Sequence, residues 1–124
     1  EGSEIQLNQY LDAVSERELA GTKLNTFFDN YDLLLTPTLP ITAFDAGTEV
    51  PTGSGMDRWT RWTPFSYPFN LGRHPAASIP CGLCSNGLPA GLQIVGPMNC
   101  DGHVLAASAA YEATNPIRMP SLED

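Results

Sequence analysis

Residues 76–84 and 90–96 are two short apolar runs, and Ser85-Asn86-Gly87 lies between them. This is the feature that most restricts the fold. Ile79, Leu92, Ile94 and Val95 supply the β-branched and aliphatic character of sheet-core positions. Asn and Gly both tolerate positive φ, which suits a tight turn. The five-residue connection and Pro89 leave room for a wider loop. Gly91 and Gly96 read as places of close backbone approach or bending. A chain built on this pair must contain a sheet.

The flanking segments supply helices and a third strand. Residues 3–30 have helical character, with Leu7, Leu11, Val14, Leu24 and Phe28 at a period near 3.6 and Ser3 available as a cap. Glu18 and Gly21 interrupt the stripe. The segment therefore reads as one helix with a weak middle or as two helices broken near Gly21. Glu4, Asp12, Glu16, Arg17 and Lys23 form its solvated face. Residues 31–35 read as a short buried strand ending at about Thr36, because Pro37 and Pro40 cannot donate ladder hydrogen bonds. Residues 41–57, with Gly47, Pro51, Gly53 and Gly55, read as loop. Residues 58–68 are dense in aromatics. Residues 101–114 form a helix capped by Asp101, with Leu105, Ser108, Ala109 and Glu112 on one side and Asn115-Pro116 at its end. The tail to Asp124 is expected to be extended. The organisation is thus a helical part at about 3–30, a sheet and loop part at 31–100 and a closing helix at about 101–114.

Composition excludes several functions. The 124 residues make one small domain or a piece of a larger one. Lys and Arg number 6 against 14 Asp and Glu, a net charge of −8. That balance opposes direct binding of nucleic acid or of an anionic membrane surface. A content of 42% hydrophobic and 16% charged residues is too apolar for a disordered tail. No signal-peptide pattern and no bilayer-length apolar run is present. The chain opens Glu1-Gly2-Ser3 without Met, so an excised segment is expected. Three cysteines, an odd number, do not suit a secreted disulfide framework. Free thiols and a cytoplasmic location are expected.

Three candidate chemistries stand out. Cys81-x2-Cys84 and Cys100-x2-His103, with fifteen residues between them, have zinc-like spacing. The hairpin opposes it. With Cys84 near the turn, Cys100 lies roughly 35 Å away along the ladder at about 3.3 Å per residue. No metal and no cofactor is expected, and a zinc module remains the weakest rival. His74, beside Pro75, reads as a loop residue rather than a general base, and no serine sits in a nucleophile elbow. No phosphate-binding glycine motif occurs. The series Trp59, Trp62, Phe65, Tyr67 and Phe69 is either core packing under a long loop or the wall of an apolar pocket, with Ser66 and Asn70 as its polar groups.

Four stretches together carry a resemblance. They are Tyr31-Asp-Leu-Leu-Leu-Thr36-Pro37-Thr38-Leu-Pro40, then Trp62-Thr-Pro-Phe-Ser-Tyr-Pro-Phe-Asn70-Leu-Gly-Arg-His-Pro75-Ala-Ala-Ser78-Ile-Pro80-Cys-Gly82. Gly87-Leu-Pro-Ala-Gly91-Leu-Gln93-Ile-Val-Gly96-Pro follows, and then a helix with Asp101, Leu105 and Glu112. In this order they resemble the C-terminal part of amidase-signature hydrolases, over about residues 10–120. The resemblance implies an α/β fold: the C-terminal part of a mixed β-sheet flanked by helices, incomplete in this chain. It implies amide hydrolysis through a Ser–cis-Ser–Lys centre in a protein several times longer. The Gly/Ser-rich segment that carries that centre has no counterpart here, and Lys23 sits in no matching motif. No catalytic residue is therefore assigned, and the chain alone is expected to be inactive.

The resemblance makes Trp62, Phe65, Ser66, Phe69 and Asn70 the candidate pocket wall. Arg73 stands where the family usually has Gly, and it either meets a substrate carboxylate or faces solvent. The implied partners are the upstream catalytic part of the same amidase and a small amide substrate. An amidotransferase A-subunit segment is the alternative. A non-enzymatic module that self-associates through exposed strand edges, as a homo-oligomer, is the rival class.

Overall fold

A computed structural model describes residues 2–116. After a 3-10 turn at Gly2–Glu4 come helix α1 (Leu7–Phe28), strand β1 (Leu34–Pro37), a 3-10 turn at Trp59–Trp62, helix α2 (Tyr67–Gly72), strands β2 (Ala76–Leu83) and β3 (Pro89–Val95), and helix α3 (Asp101–Thr114). The tail expected to be extended lies outside the described residues, except for its first positions. Among the described residues no helix is long and apolar enough to cross a membrane.

The hairpin forms with a three-residue loop. The Gly87 N–H donates to the Cys84 carbonyl at 2.9 Å, and the Cys84 N–H donates to the Leu88 carbonyl at 2.8 Å. Gly87 has φ of 80°, whereas Asn86 keeps a negative φ. One left-handed residue after a turn is the three-residue hairpin geometry. Asn86 contributes through its side chain, which accepts from the Leu88 N–H at 3.3 Å. Pro80 pairs with Gly91 and Gly82 with Ala90, so Cys81 is the extra residue of a bulge.

The three strands run β1-β3-β2, with β3 central and antiparallel to both neighbours. β1 differs from its expected form in extent and in burial. It continues through Pro37, and Thr38 still donates to the Gly91 carbonyl at 2.9 Å. Thr36 and Thr38 turn their N–H groups toward β3, so the Pro37 nitrogen faces away and no ladder bond is lost. β1 is also an edge strand, where proline is tolerated. Tyr31 and Leu35 are exposed rather than buried.

One face of the sheet carries Ile79 and Ile94, which pack with Val104 of α3. Leu33, Ala77, Leu92, Ala107 and Tyr111 surround them. α3 therefore presents Val104, Ala107, Ser108 and Tyr111. Of the side expected from the sequence only Ser108 is buried, while Leu105, Ala109 and Glu112 are exposed. Shape decides this, because a Cβ on Gly96 would stand 2.7 Å from Val104 Cγ2. Val104 occupies the space which that glycine leaves. The residue before the helix, Cys100, takes the cap position, and Asp101 lies in the first turn, where the helix dipole still favours its charge.

α1 is one uninterrupted helix. Gly21 does not break it. Gly21 is buried against the backbone of Gly72 and lets α1 and α2 approach closely. Toward its start, Leu7, Tyr10, Leu11 and Leu19 remain exposed. Of the stripe read from the sequence, Leu7 and Leu11 are exposed, while Val14, Leu24 and Phe28 are half-buried.

Candidate functional site

β3 is fully buried at Val95 and opens toward Pro89. At the open end Gly91 allows the two outer strands to meet across the central one. Thr38 Oγ1 and Ser78 Oγ lie 2.7 Å apart. A Cβ on Gly91 would stand 2.7 Å from Thr38 Oγ1 and 3.1 Å from Ser78 Oγ. Any larger residue would drive the hydroxyls apart.

The chain leaving β1 folds back beside this end. Phe44 meets Trp62 edge-to-face, with centroids 5.5 Å apart. The Trp62 indole N–H donates to the Glu49 carbonyl at 3.0 Å, and the Trp59 backbone N–H donates to the Glu49 carboxylate at 3.1 Å. The loop over residues 41–57 is thereby tied to the aromatic turn. Together they enclose a cleft of about 1060 Å³ whose wall includes Thr38, Phe44, Trp62, Phe65, Ser78 and Cys81.

Gln93 joins the cleft to the core. It is buried, and its side-chain amide donates to Thr36 Oγ1 at 2.9 Å and to the Phe65 carbonyl at 3.1 Å. Both amide hydrogens are used, as a buried polar group requires. One side chain thus fixes β1 and the segment carrying Phe65 onto the central strand.

The five residues proposed from the sequence divide. Trp62 and Phe65 line the cleft. Ser66, Phe69 and Asn70 are not among its lining residues. Ser66 sits at the start of α2, where its carbonyl accepts from the Asn70 N–H at 3.2 Å; Phe69 is buried and Asn70 is exposed. The cause is α2 itself. Pro68 in the first turn favours a helix, and a helical path turns these side chains away from the line that Trp62 and Phe65 follow. Thr38, Phe44, Ser78 and Gln93 were not singled out as site residues. The readable signal was Gly91 inside a strand, a mark of close approach.

Arg73 and His74 lie away from the cleft. Arg73 caps α2 in the left-handed conformation, φ 59°, and its guanidinium is 3.5 Å from Glu18 on α1, both side chains exposed. That geometry explains why glycine suits this position. His74 is buried, stacks on Phe28 with centroids 5.3 Å apart, and places Nε2 at 3.1 Å from Asn25 Oδ1. Burial pushes the imidazole below its ordinary pKa, with the Gly72 backbone opposing the shift. His74 therefore fastens α1 to the sheet as a neutral ring. Cys81, Cys84 and Cys100 are free thiols. Among the described residues no three metal-ligating side chains gather into a site.

A small sheet, three helices and an end-on cleft formed by long-range pairing define a segment of an α/β fold. The model of the Amidase family matches residues 2–105, and the chain belongs to the amidase-signature family. It is 42% identical over 105 residues to the A-subunit of the glutamyl-tRNA(Gln) amidotransferase of Brevibacillus brevis, a match covering 85% of this chain and 21% of that protein. The chain thus spans about a fifth of the length of the curated relatives it matches. The crystal structure of the corresponding A-subunit from Thermotoga maritima superposes with a TM-score of 0.75 at 30% identity, covering 93% of this chain and 26% of that one. A bacterial aryl acylamidase of the amidase signature family gives 0.74 at 37% identity, covering 91% and 24%. The α/β reading of the fold holds, with an all-antiparallel sheet among the described residues.

Proposed function

We propose that this chain is the C-terminal part of an amidase and forms one wall of its substrate cavity. The observation that carries the reading is the cleft at the Gly91 end of the sheet, built by the same stretches that carry the family likeness. In the whole enzyme a serine attacks the amide carbonyl, an acyl-enzyme forms and water releases it. The bridging serine and lysine of the Ser–cis-Ser–Lys centre come from the upstream part, which is the chain's first partner. Backbone N–H groups stabilise the oxyanion. Lys23 does not fill the lysine's place, since it is exposed on α1 and does not line the cleft. The proposed setting is cytoplasmic, with no cofactor.

The test is a graft. This segment replaces the matching quarter of the bacterial aryl acylamidase, and amide hydrolysis is followed together with far-ultraviolet circular dichroism. A folded graft that turns over amides supports the reading, and the isolated chain should show no turnover. A folded graft without turnover refutes it.

A second reading is an amidotransferase A-subunit segment, favoured by the 42% identity to a protein of that kind. Glutamine-dependent ammonia release by the graft would favour it. Exposed Leu7, Tyr10, Leu11 and Leu19 on α1 also support self-association of the isolated chain. Sedimentation velocity reads this directly, and a single monomer boundary at high concentration counts against it.

A further inference from the structure

The cleft has a chemical bias that its family membership does not specify. No Asp, Glu, Lys, Arg or His is among its lining residues. A charged group pressed against this wall would lose hydration and find no countercharge on it, which is costly. The aromatic wall adds no free donor, because the Trp62 indole N–H is already held by the Glu49 carbonyl. Trp62 and Phe44 therefore present ring surface. The Phe65 carbonyl is held by Gln93.

Among the lining side chains Thr36 and Cys81 already donate to the Pro37 and Ala90 carbonyls and Thr42 accepts from Asn86, whereas at the Thr38–Ser78 pair two hydroxyls converge with a hydrogen to spare. Two hydroxyls 2.7 Å apart share one hydrogen bond. Each hydroxyl has one hydrogen. One is spent between them, so the other remains to donate. Covering this wall with a dry protein surface would strand that hydrogen, at the cost of an unmade bond. A small ligand with an apolar body and one acceptor atom satisfies it.

Resting on the reading of this cleft as an amidase substrate cavity, we infer that it takes the uncharged, apolar or aromatic part of an amide. A single acceptor oxygen of that substrate is seated on the Thr38–Ser78 hydroxyl pair. Substrates carrying a carboxylate or ammonium at this end, free glutamine among them, are disfavoured here. Thr38 and Ser78 are specificity-determining residues, and Gly91 is the positioning residue that lets them meet.

Acetanilide, 4-acetamidobenzoate and L-glutamine are titrated into the isotope-labelled chain, with amide and indole shifts followed by NMR. Acetanilide is expected to shift Thr38, Ser78, Gly91 and the Trp62 indole saturably. The carboxylate analogue should bind about tenfold or more weakly, and glutamine should leave these signals unmoved. Thr38→Val, which removes the hydroxyl at nearly constant shape, should weaken acetanilide several-fold. Equal binding of acetanilide and its carboxylate analogue, shifts confined to other residues, indifference to Thr38→Val, or no response to any probe each overturn the inference. The grafted acylamidase gives a second measurement in kcat/KM for the neutral and carboxylated anilides. A graft active on both alike overturns only the substrate class. A folded graft inactive on every amide overturns the reading of the cleft as well.

Discussion

The two ends of β3 are built on opposite principles. From Gln93 to Val95 the strand is buried on both faces, with Ile94 under α3 and Gln93 under the segment that carries Phe65. From Pro89 to Leu92 it is at most half-buried: Leu92 sits at the margin of the α3 cluster, and on the opposite face, over Gly91, the neighbours meet through hydroxyls. The closed end is specified by volume. The open end is specified by what has been left out, a side chain at residue 91 and charge on the wall. Stability and recognition are thus separated by two residues of one strand, and Gln93 is the joint between them.

The sharpest way to break this contrast is to remove volume from each end in turn. Ile94→Ala is expected to destabilise the chain by about 2–5 kcal/mol, and Leu92→Ala by less than half as much, in urea unfolding. Equal losses would show that the open end is core after all. Gly91→Val attacks the open end by addition. Its methyls must displace Thr38 and Ser78, costing about 1–3 kcal/mol, and acetanilide binding should vanish while α3 stays docked. Gln93→Leu tests the joint. It leaves the Phe65 carbonyl without its donor, a loss of about 1–3 kcal/mol, and the Trp62 fluorescence should move with the melting curve.

A gentler probe is acid. The imidazole of His74 has a folded-state pKa below its ordinary value of 6.5. The unfolded chain therefore binds more protons over that interval. Stability should be full above about pH 6.5, fall as the pH drops below it, and level off beneath the folded-state pKa. His74→Gln should flatten this profile. The smallest effect is expected at Arg73→Gly. It relieves a left-handed residue, loses an exposed ion pair of little worth, and raises stability by about 0.5–1 kcal/mol. Cleft binding should be untouched, since Arg73 lies beside Glu18.

Much of the fold was legible because its signals are local. Two short apolar runs around Ser85-Asn86-Gly87 mark a hairpin, and residues 101–114 carry helix formers up to a proline stop. What escaped depends on distant partners. Pro37 ends a strand on local grounds, and only its place at the sheet edge reverses that. Leu105 is the largest aliphatic side chain of α3, yet the space beside Gly96 selects Val104 instead. Gly21 looks like a break until Gly72 is set against it. The site was half legible. Trp62 and Phe65 announce a wall by composition. The Thr38–Ser78 pair, 40 residues apart in the chain, exists only through the register of three strands.

That separation also orders assembly. β2, β3 and α3 follow one another within residues 76–114, so their contacts close short loops and form early. Thr36 reaches Gln93 across 57 residues, and the entropy of closing so long a loop must be met before its bonds reward it. β1 is therefore expected to dock after β2, β3 and α3 have come together. A molecule halted before that step already has its hydrophobic centre, and it has no binding site.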